Sequence, residues 1–137
     1  MCTSSELKIT VYGKPKGKDR PRVCRNGHTF TPKATREYER LVRKAFQAKY
    51  PNWVPTSEPV KLEIRAYFPI PKSWSKKKQK QAEEGLIPCM VKPDLDNIGK
   101  TIDALNGIAF ADDKQIVEEH LVKQYSTNPR VEFVFQI

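Results

Sequence analysis

Three stretches of alternating apolar and polar residues constrain the fold of this chain most strongly. They run over Leu7–Tyr12, Val60–Phe68 and Arg130–Ile137, with Val134 as one exception to the alternation. A two-residue period places neighbouring side chains on opposite sides of a strand, so each stretch predicts a strand with one buried face. A fourth strand is predicted over Gln115–Tyr125.

Helical spacing and capping residues predict three helices. The first begins near Lys33 with Thr35 as its N-cap and ends before Pro51, and its apolar positions are Tyr38, Leu41, Val42, Ala45 and Phe46. The second is a short basic helix capped by Ser73 and ended by Gly85, and it contains Lys76, Lys77, Lys78 and Lys80. The third runs from Leu95 to Asn106 and is ended by Gly107.

This order of elements predicts an α+β fold. The chain has 137 residues, which suits one compact domain over residues 1–137. Strand, helix, strand, two helices and two final strands favour a mixed β-sheet packed against two or three helices. The Asn26–Gly27 pair, between the first strand and the first helix, predicts a tight hairpin turn.

The charge of the chain favours a polyanionic partner. Lys and Arg number 25 against 16 for Asp and Glu, giving a formal net charge of +9. No apolar run approaches the roughly 20 residues of a membrane span, and the first residues do not resemble a signal peptide. We therefore expect a cytoplasmic protein with no membrane partner. Three scattered cysteines and two isolated histidines argue against a zinc site or a disulfide framework.

One segment of this basic chain is rich in aspartate. Residues 92–113 contain no glutamate but hold Asp94, Asp96, Asp103, Asp112 and Asp113. The short aspartate side chain keeps its carboxylate near the backbone, which suits the oxygen ligands and strict octahedral geometry of Mg²⁺. In a basic chain, converging carboxylates can bind metal while the surrounding cations bind a phosphodiester.

Helical geometry brings part of this cluster together. At about 100° per residue, Asp96, Lys100 and Asp103 share one face of the predicted third helix. The roughly opposite face is apolar and is predicted to enter the core, with Leu95, Ile98, Ile102 and Leu105. Asp94 precedes the helix, and Asp112 and Asp113 return beside it at the start of the next strand.

Each of these aspartates also has an ordinary structural explanation. Asp94 can be a helix N-cap, Asp96 and Lys100 an exposed ion pair, and Asp112–Asp113 part of a turn. Asp103 can be a solvated helix residue. A calcium-binding EF-hand is rejected, because Leu105 stands where that loop needs a bidentate glutamate. The residues alone leave the choice between a metal site and these alternatives open.

Two basic segments are candidate DNA contacts. Arg20, Arg22 and Arg25 surround the predicted hairpin, and the arginine fork suits phosphate oxygens. Lys92, directly before the acidic segment, is a further candidate. The lysines of the second helix match no motif and are typical of a solvated helix face.

The acidic segment resembles the RusA family of Holliday-junction resolvases. The pattern D-x-D-N-x-x-K-x-x-x-D-A-L begins at Asp94, and D-D-x-Q-[IV] begins at Asp112. Gly13–Pro15, Arg20–Arg22, Phe30–Pro32 and the helix that follows are also similar to the family. Together these segments cover most of the chain, although residues 50–90 add little.

This resemblance implies a RusA-like fold and an often phage-borne homodimer that makes paired symmetric nicks in four-way DNA junctions during recombination and repair. It implies Mg²⁺, with Mn²⁺ as a substitute, and no small-molecule substrate. The essential acids of the family match Asp94, Asp96 and Asp113, which would be catalytic and metal-binding, and its essential lysine matches Lys100. Asp103 and Asp112 match accessory acids.

Two other functions are compatible with the same residues. A DNA-binding protein that does not cleave would explain the net charge, although the complete acidic set argues against it. A nuclease that acts on flaps or replication forks would use the same chemistry, and no residue separates it from a junction resolvase.

Overall fold

The alternating stretches form one four-stranded sheet. The structure is a computed structural model that describes residues 5–18 and 22–137. Its strands in chain order are β1 (Glu6–Tyr12), β2 (Arg22–Val23), β3 (Thr29–Phe30), β4 (Val60–Pro69), β5 (Ile116–Ser126) and β6 (Arg130–Gln136). The four long strands are arranged in the order β1-β6-β4-β5, while β2 and β3 form a separate hairpin. The three strands predicted from the alternation and the fourth predicted over Gln115–Tyr125 are therefore confirmed.

The sheet mixes two kinds of pairing. β6 pairs antiparallel with both β1 and β4, whereas β4 and β5 run parallel. Parallel neighbours need a long crossover connection, and here it spans residues 70–115. The predicted acidic segment lies at the end of this crossover, directly before β5.

Helices cover one face of the sheet. They are α1 (Lys33–Lys49), α2 (Lys76–Glu83) and α3 (Leu95–Gly99), and α3 continues into a 3-10 helix over Lys100–Leu105. The buried strand residues on that face include Leu7, Ile9, Val11, Leu62, Ile64, Phe68, Val131, Phe133 and Phe135. This confirms the predicted α+β fold with a mixed sheet and three helices. In the described part of the chain, no helix is long and apolar enough to cross a membrane.

Two predicted helix caps are wrong. Pro32 occupies the N-cap position of α1, while Thr35 lies buried within the first turn. Ser75, and not Ser73, caps α2, because its hydroxyl accepts a 3.2 Å hydrogen bond from the Lys78 amide. Gly85 follows α2 with φ of +81°, as expected for a residue that ends a helix.

The predicted third helix is not one continuous α-helix. It changes to 3-10 geometry at Lys100, where the Thr101 hydroxyl donates a 2.6 Å hydrogen bond to the Ile98 carbonyl. Gly99 is a weak helix former, and its Cα faces Leu121 so closely that a Cβ would lie 3.2 Å from a leucine methyl. Ile98, Ile102 and Leu105 are nevertheless buried, as predicted.

The predicted hairpin at Asn26–Gly27 is confirmed. β2 pairs antiparallel with β3, and Gly27 adopts the positive φ of +85° that the turn requires. Of the arginines assigned to this arm, Arg25 lies exposed at the turn, and Arg22 pairs through its backbone with Phe30. Arg20 lies outside the described residues.

Phe46 and Leu41 of α1 are expected to contribute unequally to the stability of the fold, because only Phe46 is buried. Phe46 is 1% exposed and stacks edge-on against Phe135 at 6.2 Å, whereas Leu41 is 48% exposed. Phe46→Ala should lower the free energy of unfolding by about 3–5 kcal/mol because it opens a core cavity. Leu41→Ala should cost under about 1 kcal/mol. Urea denaturation measures both, and equal losses would contradict the assigned helix face.

Candidate active site

An open cleft lies between the α3 segment and the start of β5. It has a volume of about 560 Å³. One wall carries Asp96, Lys100 and Asp103, which confirms that these three residues share a face despite the change of helix type. The facing wall carries Asp113 together with Glu118 and Glu119. The crossover therefore returns Asp113, but not Asp112, to the side of the cleft.

Asp96 and Lys100 form the ion pair that the sequence allowed. The Lys100 Nζ lies 3.2 Å from Asp96 Oδ2, and both side chains are more than half exposed. An exposed pair of this kind stabilises a helix by only roughly 0.3–0.5 kcal/mol. Because the ion pair contributes so little to the stability of the fold, a ligand can separate the two side chains at little cost in free energy.

The carboxylates of Asp103, Asp112 and Asp113 lie close together. Hydrogen bonds with Asp112 and then Asp103, added to desolvation and to repulsion from both, raise the pKa of Asp113 to about 6. The pKa of Asp112 is lowered, because its carboxylate accepts the hydrogen bond from Asp113. Neighbouring like charges disfavour the fully ionised state, so a proton or a cation beside Asp113 relieves part of the repulsion.

Gln115 holds the turn that presents Asp113. Its side-chain Oε1 accepts a 2.9 Å hydrogen bond from the Asp112 amide, while its Nε2 donates to the carbonyls of Thr56 at 2.8 Å and Glu58 at 2.9 Å. The turn is therefore fixed to the segment before β4. The resemblance included this glutamine in its pattern but assigned it no role.

Lys18 is a second lysine at the acidic group, and the sequence analysis did not select it. Its Nζ lies 3.2 Å from Asp103 Oδ2 and 3.9 Å from Glu39 Oε1, and it donates a hydrogen bond to the aspartate. Its amide also donates to the Asn97 carbonyl at 2.9 Å. The segment that follows β1 and carries Lys18 therefore packs directly on the start of α3.

This contact depends on Gly17. A Cβ at Gly17 would lie 2.8 Å from the Cβ atoms of both Pro93 and Asn97, closer than packed atoms allow. The glycine at position 17 was the available signal in the sequence, because only glycine lacks the Cβ that would prevent this close approach.

Asp94 and Lys92 are placed at the edge of the site. Asp94 occupies the N-cap position of α3, yet within the described residues its side chain accepts no capping hydrogen bond. Its carboxylate is exposed and is not part of the cleft lining. Lys92 is exposed two residues earlier. A metal-binding role for Asp94 and a DNA contact through Lys92 stay predictions.

Glu119 is another acid that the sequence analysis missed. It pairs with Leu62 across the β4–β5 ladder, so it points to the helix-covered face of the sheet, as Leu121 does two residues later. The sequence of β5 does not alternate between apolar and polar residues, so only the register of the ladder reveals the side to which Glu119 points.

The donor chemistry of the cleft fits Mg²⁺. Asp96, Asp103 and Asp113 offer only carboxylate oxygens, which this cation prefers, and the crowding of Asp113 by Asp112 and Asp103 favours a positive charge beside it. Within residues 5–18 and 22–137, however, no three His, Cys, Asp or Glu side chains already converge into a complete metal site.

Comparisons with known proteins identify the family. The family model described as Endodeoxyribonuclease RusA matches residues 12–134. The chain belongs to the RusA endodeoxyribonuclease family. It is also 39% identical over 136 residues to the uncharacterized protein YqaN of Bacillus subtilis (strain 168), with 95% of each chain covered. Membership in this family indicates a nuclease that acts on DNA, and it confirms the resemblance found in the acidic motif.

Removing the Gln115 side chain is expected to loosen the Asp112–Asp113 turn. Gln115→Ala deletes three hydrogen bonds, so the Asp112 amide should exchange with solvent at least about tenfold faster, equivalent to about 1.4 kcal/mol. Hydrogen exchange followed by NMR measures this. Lys114→Ala, an exposed change in the same turn, is the control and should leave the exchange rate unchanged. Equal protection in both variants would show that Gln115 does not fix the turn.

Proposed function

We propose that this chain is a Mg²⁺-dependent endonuclease that resolves four-way DNA junctions by paired symmetric nicks. One observation carries the proposal: Asp113, from the turn before β5, lines the same cleft as Asp96 and Lys100. Family membership and the net charge of +9 support it, because a DNA nuclease needs both an acidic centre and a basic surface.

The proposed roles follow from the chemistry of each side chain. Asp96 and Asp113, joined by Asp94, would hold Mg²⁺ or Mn²⁺, with Asp103 and Asp112 as accessory acids. When bound, the cation supplies charge neutralisation and activates the attacking water. Lys100 supplies a positive charge at the scissile phosphate, where negative charge develops in the transition state. Lys92 and the arginines of the hairpin arm would hold the DNA backbone.

A homodimer is part of the same proposal. A four-way junction has approximate two-fold symmetry, and two symmetric nicks need two active sites. An isologous dimer would supply them in matching orientations.

A substrate panel tests the proposed activity. The protein is incubated with end-labelled four-way junction, flap and linear duplex DNA, each with Mg²⁺ or with EDTA. We expect paired nicks in the junction, only with Mg²⁺, and little cleavage of the duplex. Equal cleavage of linear duplex would remove the structure selectivity, preferred cleavage of the flap would change the substrate, and binding without any Mg²⁺-dependent product would indicate a DNA-binding protein.

Asp96→Asn tests the assigned centre. The amide cannot replace the carboxylate as an anionic ligand, so cleavage should fall by at least roughly 100-fold, more than the loss of a residue that only orients a ligand. Junction binding measured in EDTA should be retained. Glu84→Gln, an exposed change of equal charge at the end of α2, is the matched control and should cleave normally. Normal cleavage by Asp96→Asn would show that the site is wrongly assigned.

A further inference from the structure

A stripe of arginines runs along the outer side of α1. Arg36, Arg40 and Arg43, here called the arginine stripe, are spaced by four and three residues and therefore share one helix face. Together with Lys33 and Glu37 they line a groove of about 320 Å³. The proposed function assigns no role to this surface.

The arginine stripe is not used to hold the fold together by ion pairs. Arg36 and Arg40 are exposed, and Arg43 is half-buried. Among the described residues, no carboxylate forms an ion pair with any of the three guanidinium groups, and Glu37 instead lies 3.8 Å from Lys33. Three unpaired positive charges on one face repel one another, and an anion bound against them would relieve that repulsion.

The position of the stripe connects it to the cleft. Glu39 lies on α1 between Arg36 and Arg43, beside the buried face of the helix, and its Oε1 is 3.9 Å from Lys18 Nζ. The same Nζ is 3.2 Å from Asp103 in the cleft. Because residues three and four apart are neighbours on a helix, Arg36 and Arg43 flank the point where Lys18 joins α1 to the acidic centre.

The spacing of the stripe suits a nucleic-acid backbone. At 1.5 Å per residue, Arg36 and Arg43 lie about 10 Å apart along the helix axis. One DNA strand advances about 3.4 Å per phosphate, so this length corresponds to about three phosphates. The guanidinium fork can bind a phosphate through two parallel hydrogen bonds.

We propose that the arginine stripe binds the phosphates of the DNA strand that leaves the catalytic cleft past Lys18. The proposal rests on the proposed function for the identity of the ligand, and it adds a second binding surface on α1. These contacts are to the backbone, so they position the strand without reading its sequence.

The salt dependence of binding tests the number of contacts. Dissociation constants for a four-way junction are measured in EDTA at several KCl concentrations for the wild type and for Arg36→Gln/Arg40→Gln/Arg43→Gln. Loss of three phosphate contacts should reduce the slope of log K against log salt by about 2–3 units. The control Lys76→Gln/Lys77→Gln/Lys80→Gln removes the same charge from α2 and should change the slope by less than about one unit. Equal changes in both variants would overturn the proposal, since they would show only a loss of net charge.

Uncharged phosphates test the position of the stripe on the DNA. The cleavage site is first mapped with Mg²⁺. Single methylphosphonates are then placed, one per substrate, at each of roughly ten phosphates on either side of that site, which covers one helical turn in each direction. Two or three adjacent substitutions on one side should weaken wild-type binding severalfold and leave binding by the stripe variant unchanged. If every substitution weakens both proteins equally, the stripe does not contact the strand. Thermal unfolding of both triple variants should stay close to that of the wild type, because five of the six replaced side chains are exposed and the half-buried Arg43 has no ion-pair partner among the described residues.

These measurements separate the stripe from the proposed activity. Binding is measured in EDTA and does not require cleavage. If methylphosphonates weaken binding by the wild type but not by the stripe variant, and the wild type makes no nick in Mg²⁺, the proposed nuclease activity is contradicted and the stripe is supported. If the wild type cleaves the junction but methylphosphonates affect it and the stripe variant equally, only the proposal about the stripe is contradicted.

Discussion

The parallel pairing of β4 with β5 is the constraint on which the site depends. Two parallel neighbours cannot be joined by a tight turn, so the chain must cross the helix-covered face of the sheet before it returns. That crossover carries α2, α3 and the 3-10 helix, and it ends in the turn of Asp113. Asp96 and Asp113 are 17 positions apart in sequence, yet they line one cleft because the last part of the crossover packs α3 against β5, and Asp113 lies directly before that strand.

The acidic cleft does not stabilise the fold by itself. The repulsion around Asp113 opposes folding, and the exposed pair of Asp96 and Lys100 offsets little of it. The opposing stabilisation comes from the contacts around the cleft, most of which are uncharged. Ile98 and Leu105 anchor the helical wall in the core, Gln115 fixes the turn, and the glycine contact at Gly17 brings Lys18 against Asp103.

The sequence predicted the parts of this structure that depend on local periodicity. The strands follow from alternation, and the shared face of Asp96, Lys100 and Asp103 follows from helical spacing, which tolerated the change to 3-10 geometry over so few residues. The contacts that Lys18, Gln115 and Glu119 make were not predictable in this way. Lys18 contacts Asp103, 85 positions away, Gln115 contacts Thr56, 59 positions away, and Glu119 depends on the register of a ladder, so only the folded chain brings the groups together. The caps of α1 and α2 were misplaced because Thr and Ser occur at several eligible positions.

Positive charge is organised around the cleft at different distances. Lys100 and Lys18 lie within 3.2 Å of carboxylates, where their charge compensates the acids. The arginines of α1 lie on either side of Glu39 along the helix and have no acidic partner of this kind among the described residues, so their field is directed outward. A phosphate approaching the acidic centre alone would be repelled, whereas one approaching beside the arginines would meet a favourable potential first. The net charge of +9 therefore serves two purposes: it attracts the DNA phosphates to the surface, and it lets a phosphate approach the acidic cleft.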